Sequence, residues 1–185
     1  DEPAVGVCGS GLVDAVAELV RVGVIDSSGR FADPEKVKQS HPHLAERMSV
    51  IGEEKVFVLA ESAEPDGDPV VLSQRDVREL QFAKAAIATG WHLLLEDFGI
   101  QESDIQQVLL AGSFGSYLSP ASAVRIGLVP KLALPRIVSA GNVAGEGAKM
   151  ALLSMQERHA ATAMFDEVEY VELSDRADFN DRFVE

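Results

Sequence analysis

Three times in this chain a short apolar run feeds a glycine-rich turn and then a segment with helical periodicity, and that recurrence constrains the fold more than any other feature. Ala4 to Val7 leads through Gly9-Ser10-Gly11 to Leu12, Ala15, Val16, Leu19 and Val20 at helical spacing. Asp104 to Ala111 leads through Gly112-Ser113-Phe114-Gly115 to a short helix begun by Ser119-Pro120 and ended near Gly127. Arg136 to Ser139 leads through Gly141-Asn142 to a helix expected from Val143 to about His159. Strand, glycine turn, helix is an α/β pattern that gathers helix N-termini at one edge of a sheet. Such an edge suits anions, because a first helical turn offers unpaired N–H groups and glycine lets a phosphate reach the backbone.

Between these units the reading is more local. Gly23 ends the first helix and Asp26-Ser27-Ser28-Gly29 forms a turn. Residues 32–47 read as an irregular connection. Lys55 to Ala60 and Pro69 to Leu72 pair as a hairpin around the turn Pro65 to Asp68. Ser73 then caps a helix of about 25 residues, with Asp76 three positions on and Gly99 at its end. Val168 to Leu173 closes as a strand, followed by a polar tail.

Composition narrows the function. Of 185 residues, 16 are Lys or Arg and 30 are Asp or Glu, a formal net charge of −14 that opposes a phosphate backbone, so nucleic acid is not an expected partner. No apolar run approaches the ~20 residues that span a bilayer, so no membrane partner is expected. The lone cysteine, Cys8, can make no disulfide within the chain and fits a reducing, cytoplasmic setting. Opening without Met, the chain reads as a piece of a longer protein.

Several motifs admit a chemical and a structural reading. Gly6-Val7-Cys8-Gly9-Ser10-Gly11 runs GxxGxG, not the dinucleotide GxGxxG, and lacks the phosphate-loop lysine. Its turn is either a plain strand-to-helix connection or a nucleotide-facing loop. Cys8, just before a helix, has the position of an activated thiol, but no histidine is tied to it by a local signature, and a small buried turn residue is the better reading. His41-Pro42-His43 lacks further ligands at metal spacing and reads as a solvated loop. On the long helix Val77, Leu80, Ile87, Trp91, Leu94 and Phe98 form one apolar stripe, and the missing position is Lys84. A lysine there either snorkels along its methylenes or meets a ligand phosphate, a ribose or a paired carboxylate; Gln81, one turn earlier, shares its face.

Taken in order, GVCGSGLVDAVAELVRVGVID, LSQRDVRELQFAKAAI, VLLAGSFGSYLSPASAVRIGLVP and VSAGNVAGEGAKMALLS resemble the C-terminal part of the reductive activators of corrinoid proteins, members of the acetate and sugar kinase, heat-shock chaperone and actin superfamily. The resemblance runs from Gly6 to the Asp178-Phe179-Asn180 tail and implies that 1–185 is one C-terminal lobe of an actin-like ATPase domain, a mixed sheet flanked by helices. It implies ATP or ADP with magnesium in the full-length protein, Gly112, Ser113, Phe114 and Gly115 as the adenosine loop, and Gln81 and Lys84 beside adenine and ribose. Ser113 stands where such loops frequently have a second glycine. Ser139 to Ala148, with Gly141 and Asn142, resembles the second connecting motif, and Gly9, Ser10 and Gly11 belong to either a phosphate-side or a connecting segment. The implied partner is the corrinoid protein of a methyltransferase system, returned from Co(II) to Co(I) by electrons from an iron–sulfur domain. Neither that domain's cysteines nor an Asp-x-Gly-Thr phosphate loop is in this sequence, so the chain is expected to reduce nothing and to hydrolyse ATP negligibly. A metabolite kinase lobe and a non-catalytic interaction lobe are the alternatives, and the oligomeric state, a homodimer included, is left open.

Overall fold

The structure, a computed structural model, describes residues 3–184 other than Ala63, Pro65 and Asp66. Helix α1 (Gly9–Arg21) stops where Val22 and Gly23 leave helical geometry, Gly23 at φ +76°. The Asp26 turn follows as expected: its Oδ1 accepts from Ser28 N–H, Ser28 Oγ and Arg30 N–H, and Ile25 bridges to Phe31 across it. Those three donors, Ser28 foremost, hold the Asp26 carboxyl below the ordinary carboxylate range.

Residues 32–47, expected to be irregular, instead hold two short helices, α2 (Pro34–Ser40) and α3 (Pro42–Ala45). The reason is local. Each has proline in its first turn, and the Asp33 side chain accepts the Glu35 N–H as an N-cap. Strand β1 (Met48–Ile51) was not expected either; it turns at Gly52, φ +65°, and pairs antiparallel with β2 (Glu54–Ala60), Ile51 opposite Glu54. The expected hairpin is present, β2 pairing with β3 (Val70–Ser73), although Pro65 and Asp66 of its turn lie outside the described residues.

Helix α4 (Gln74–Phe98) begins on a capping box between Ser73 and Asp76 and ends at Gly99, φ +65°. Strand β4 (Val108–Ala111) passes directly into α5 (Gly112–Tyr117), so the expected glycine loop is the first turn of a helix. Helix α6 (Pro120–Arg125) has the expected Ser119 cap and ends before Gly127, φ +72°. Strand β5 (Ile137–Gly141) is parallel to β4. The helix expected from Val143 to His159 is two: α7 (Val143–Leu153) ends at Ser154, which is extended and caps α8 (Met155–Ala163) by accepting the Glu157 N–H. A serine with glutamate three residues on is a helix start, and here it interrupts.

Two expected strands are absent. Ala4 to Val7 is irregular, with Val5 96% exposed, and Val168 to Leu173 forms no ladder among the described residues. An apolar run becomes a strand only where a neighbour accepts its hydrogen bonds. The expected polar tail is instead ordered as α9 (Phe179–Val184), packed along α4.

The strands thus fall into two sheets, the antiparallel β1-β2-β3 and the parallel β4-β5, with helices against them. Two cores match the two sheets. One gathers Val16, Leu19, Val24, Ile25, Phe31, Val37, Phe57, Leu72 and Val77; the other gathers Val13, Leu118, Ala123, Leu128, Val129 and Ile137. Helix α1 supplies residues to both, and half-buried Leu80 and Ile126 pack against both. The long helix and α1 are therefore the frame on which candidate site residues are held.

Candidate functional site

The residues singled out by sequence fall into two groups, at different ends of α1. The first lies at the carboxyl edge of the parallel pair. Ala111 is opposite Gly141 in the register, so Gly112, which follows the one, and Asn142, which follows the other, start α5 and α7 side by side. Gly112 (φ +85°) and Gly141 (φ +67°) hold left-handed backbone that L side chains rarely adopt, and a Cβ at either would meet nothing within 4 Å. Both are thus turn glycines opening onto free space. The Asn142 side chain accepts the Gly145 N–H, which caps α7.

Phe114 brings the α1 start to the same edge: a Cβ on Gly9 would lie 3.2 Å from the Phe114 ring. Ser113 is exposed. Gly115 has a different task, because a Cβ there would sit 2.7 Å from the Leu110 carbonyl carbon; it lets α5 fold back on β4 and is buried away from the edge. Ser10 Oγ lies 3.4 Å from Cys8 Sγ, and a Cβ on Gly11 would press on Val7 and that sulfur. Cys8 is exposed, not the buried turn residue expected; as N-cap of α1 its thiol is held below the usual range by the Ser10 hydroxyl first and then the Gly11 N–H.

The second group lines a pocket of about 320 Å³ near the other end of α1, with Val16, Val20, Ile25, Val77, Leu80 and Ile126 as its apolar floor and Asp26, Gln81, Lys84 and Arg125 at its rim. Gln81 and Lys84 do share this pocket. Gln81 Nε2 donates to the Ser28 carbonyl at 3.2 Å, and Gln74, two turns earlier, donates to Gly29 O and accepts from Phe31 N–H, so two glutamines clamp α4 to the 26–31 turn. Lys84 is half-buried; its Cε would be 3.3 Å from a Cβ at Gly127, whose positive φ leaves that room open. Among the described residues Lys84 makes no salt bridge, whereas Arg125 is tied to Glu18 at 2.7 Å. For the described residues that answers one branch of the sequence reading: none of their carboxylates pairs with the lysine on the stripe. Beyond it the stripe does not stay buried, since Ile87 and Phe98 are 51% and 68% exposed and burial passes to Ala88, Thr89 and Leu93.

The glycine edge and the Lys84 pocket are not one cavity. From Gly9 to Val16 along α1 is about 10 Å at 1.5 Å per residue. His41 and His43 stand edge to face at 6.5 Å on the short helix region instead of a loop, and no group of three His, Cys, Asp or Glu among the described residues could hold a metal. Sequence reasoning missed Arg125, the second cation at the pocket rim; its only signal was its position one residue before the Ile126-Gly127 helix end.

Comparison with known proteins bears on the family and the fold. The family model described as the C-terminal domain of RACo, the ASKHA domain, matches residues 1–185. The corrinoid activation enzyme RamQ of Eubacterium limosum is 39% identical over 171 residues, covering 91% of this chain and 28% of that protein. A solved structure titled reductive activator for corrinoid, iron-sulfur protein superposes with a TM-score of 0.84 at 34% identity, over 98% of this chain and 28% of that one. The chain thus spans under a third of the length of the relatives it matches. Its α/β architecture of helix-flanked sheets is the expected one, and no helix among the described residues is long and apolar enough to cross a membrane. By the match along its whole length, the chain belongs to the family of RACo C-terminal ASKHA domains.

Proposed function

We propose that this chain is the nucleotide-binding C-terminal lobe of an ATP-dependent reductive activator, a part of a longer polypeptide that returns a Co(II) corrinoid protein of a methyltransferase system to Co(I). The observation that carries the reading is the glycine edge, where Gly112 and Gly141, both with positive φ and open space above them, start two helices on adjacent parallel strands beside Gly9. The resemblance gives Gly112 to the adenosine loop; we depart from it, assigning phosphate oxygens to the first-turn N–H groups of this edge and the base and ribose of the same nucleotide to the apolar Lys84 pocket about 10 Å along α1. Magnesium would ride on the phosphates, with part of its ligand shell supplied from outside this chain. Electrons come from an iron–sulfur domain elsewhere in the longer protein. ATP supplies none; its binding and hydrolysis favour the conformation in which transfer to cobalt proceeds.

Gly112→Val in the full-length activator tests this. A β-branched side chain cannot hold φ +85° without strain, on the order of 1–2 kcal/mol, and it fills the space a phosphate needs. ATP affinity should fall at least tenfold while the iron–sulfur part still accepts electrons. Unchanged ATP affinity in a folded variant would show that the glycine edge is not the nucleotide site.

A further inference from the structure

Helix α4 is held in two different ways along its length. Its first half belongs to the cores: Val77 lies in the first, Leu80 packs against both, and Gln74 and Gln81 are clamped to the 26–31 turn. Its second half holds three buried residues, Ala88, Thr89 and Leu93, and none of them gathers with either core. Against this half lies the C-terminal end of the chain. Thr89 Oγ1 donates to the Arg182 carbonyl at 3.4 Å, and a Cβ on Gly90 would meet the Leu173 side chain at 3.6 Å.

This C-terminal arm, residues 176–184, is fastened chiefly by charge. Arg176 reaches Asp97 at 2.7 Å, Glu96 at 3.3 Å and Asp178 at 3.0 Å, and Arg182 reaches Glu96 at 2.9 Å. No residue of α9 is buried, and its ring contact with α4 is Phe183 stacked on Phe82 at 6.3 Å. A segment with little buried apolar surface, tied by ion pairs, opens at a lower free energy than the cores it adjoins. The five charged side chains are 26–45% exposed, open enough to solvent for salt to screen their attraction.

We propose that the arm is an electrostatic latch: Arg176 fastens it over the second half of α4, and it opens as a unit, loosening α4 from Ala88 to Phe98, while both cores stay folded. One helix thus spans a fixed unit, which carries Gln81 and Lys84, and a releasable one. Opening bares Glu96 and Asp97, and salt favours it. The latch is a property of this chain's fold and does not rest on the nucleotide reading.

Amide hydrogen exchange of this chain, resolved by mass spectrometry, tests it, with α1 amides from Val13 to Leu19 as the reference for the cores. Arg176→Gln takes the shared cation from Glu96, Asp97 and Asp178. Amides from Thr89 to Asp97 and from Phe179 to Phe183 should then exchange about fivefold faster or more, the reference staying within about twofold. In wild type, raising NaCl from about 0.05 M to about 0.5 M should raise the ratio of arm to reference exchange about twofold or more, and in Arg176→Gln the same step should do less. An unchanged ratio in Arg176→Gln, or a reference that accelerates in step with the arm, overturns the latch. A wild-type ratio that does not rise with salt overturns its electrostatic fastening. Should Arg176→Gln fail to fold, the wild-type salt series decides alone by the same ratio.

Discussion

Two regions of similar apolar content behave in opposite ways. Around α1, β2, β3 and the start of α4, apolar residues are sealed: Val24 is fully buried, Ile25 and Val77 are 1% exposed and Leu72 is 2%. Along α7, α8 and the segment to Tyr170, no helix residue is buried, and Leu153 and Phe165 are each 85% exposed. The difference follows from topology. The first region folds three antiparallel strands, two helices and the Asp26 turn onto one another, whereas the second follows a parallel pair, β4-β5, whose own Leu109 is 60% exposed. Parallel strands are ordinarily covered on both faces, and here their apolar residues are left uncovered by the described residues. Apolar composition thus sets the capacity to bury surface, and chain order sets where that capacity is met.

The comparison breaks if both regions respond alike to truncation. Leu72→Ala removes a sealed β3 side chain from the first core and should cost about 2–5 kcal/mol, read as a lowered urea midpoint at constant slope. Leu153→Ser, at the exposed end of α7, should cost less than about 0.5 kcal/mol in this chain by the same measurement. A large loss from Leu153→Ser would mean that α7 packs in solution in a way its exposure does not reveal.

The two regions also differ in how readily sequence disclosed them. The long helix was legible because its limits are local chemistry: Ser73 with Asp76 at one end and left-handed Gly99 at the other. Lys84 was legible as the one cation on an apolar stripe. The split at Ser154 was equally local and missed because apolar periodicity continued across it, and β1 because a four-residue strand before Gly52 carries little pattern. The extended segments at Ala4 to Val7 and Val168 to Leu173 have strand composition without a ladder partner, which composition cannot show. The docking of α9 along α4 was hidden for another reason. Its fastening depends on Phe82 meeting Phe183 and on Arg176 meeting Asp97, contacts about eighty to a hundred residues apart in sequence that no local periodicity encodes.

At the candidate site the same division holds. Sequence found the glycines because positive φ is a local demand at Gly112 and Gly141. It grouped Gly115 with them, although the need there is close packing against Leu110. It placed Gln81 and Lys84 together, and the structure adds that they face the Asp26 turn at a distance from the glycine edge.

The most direct test of the glycine edge as a phosphate site is to titrate ADP into isotope-labelled chain and follow backbone amide shifts. The account predicts saturable shifts concentrated at Gly9, Ser10, Gly112, Ser113 and Asn142, with a second set at Gln81 and Lys84 and little change along α8. Shifts that leave Gly112 and Asn142 untouched while others saturate, or no saturable shift at millimolar ADP, would contradict it.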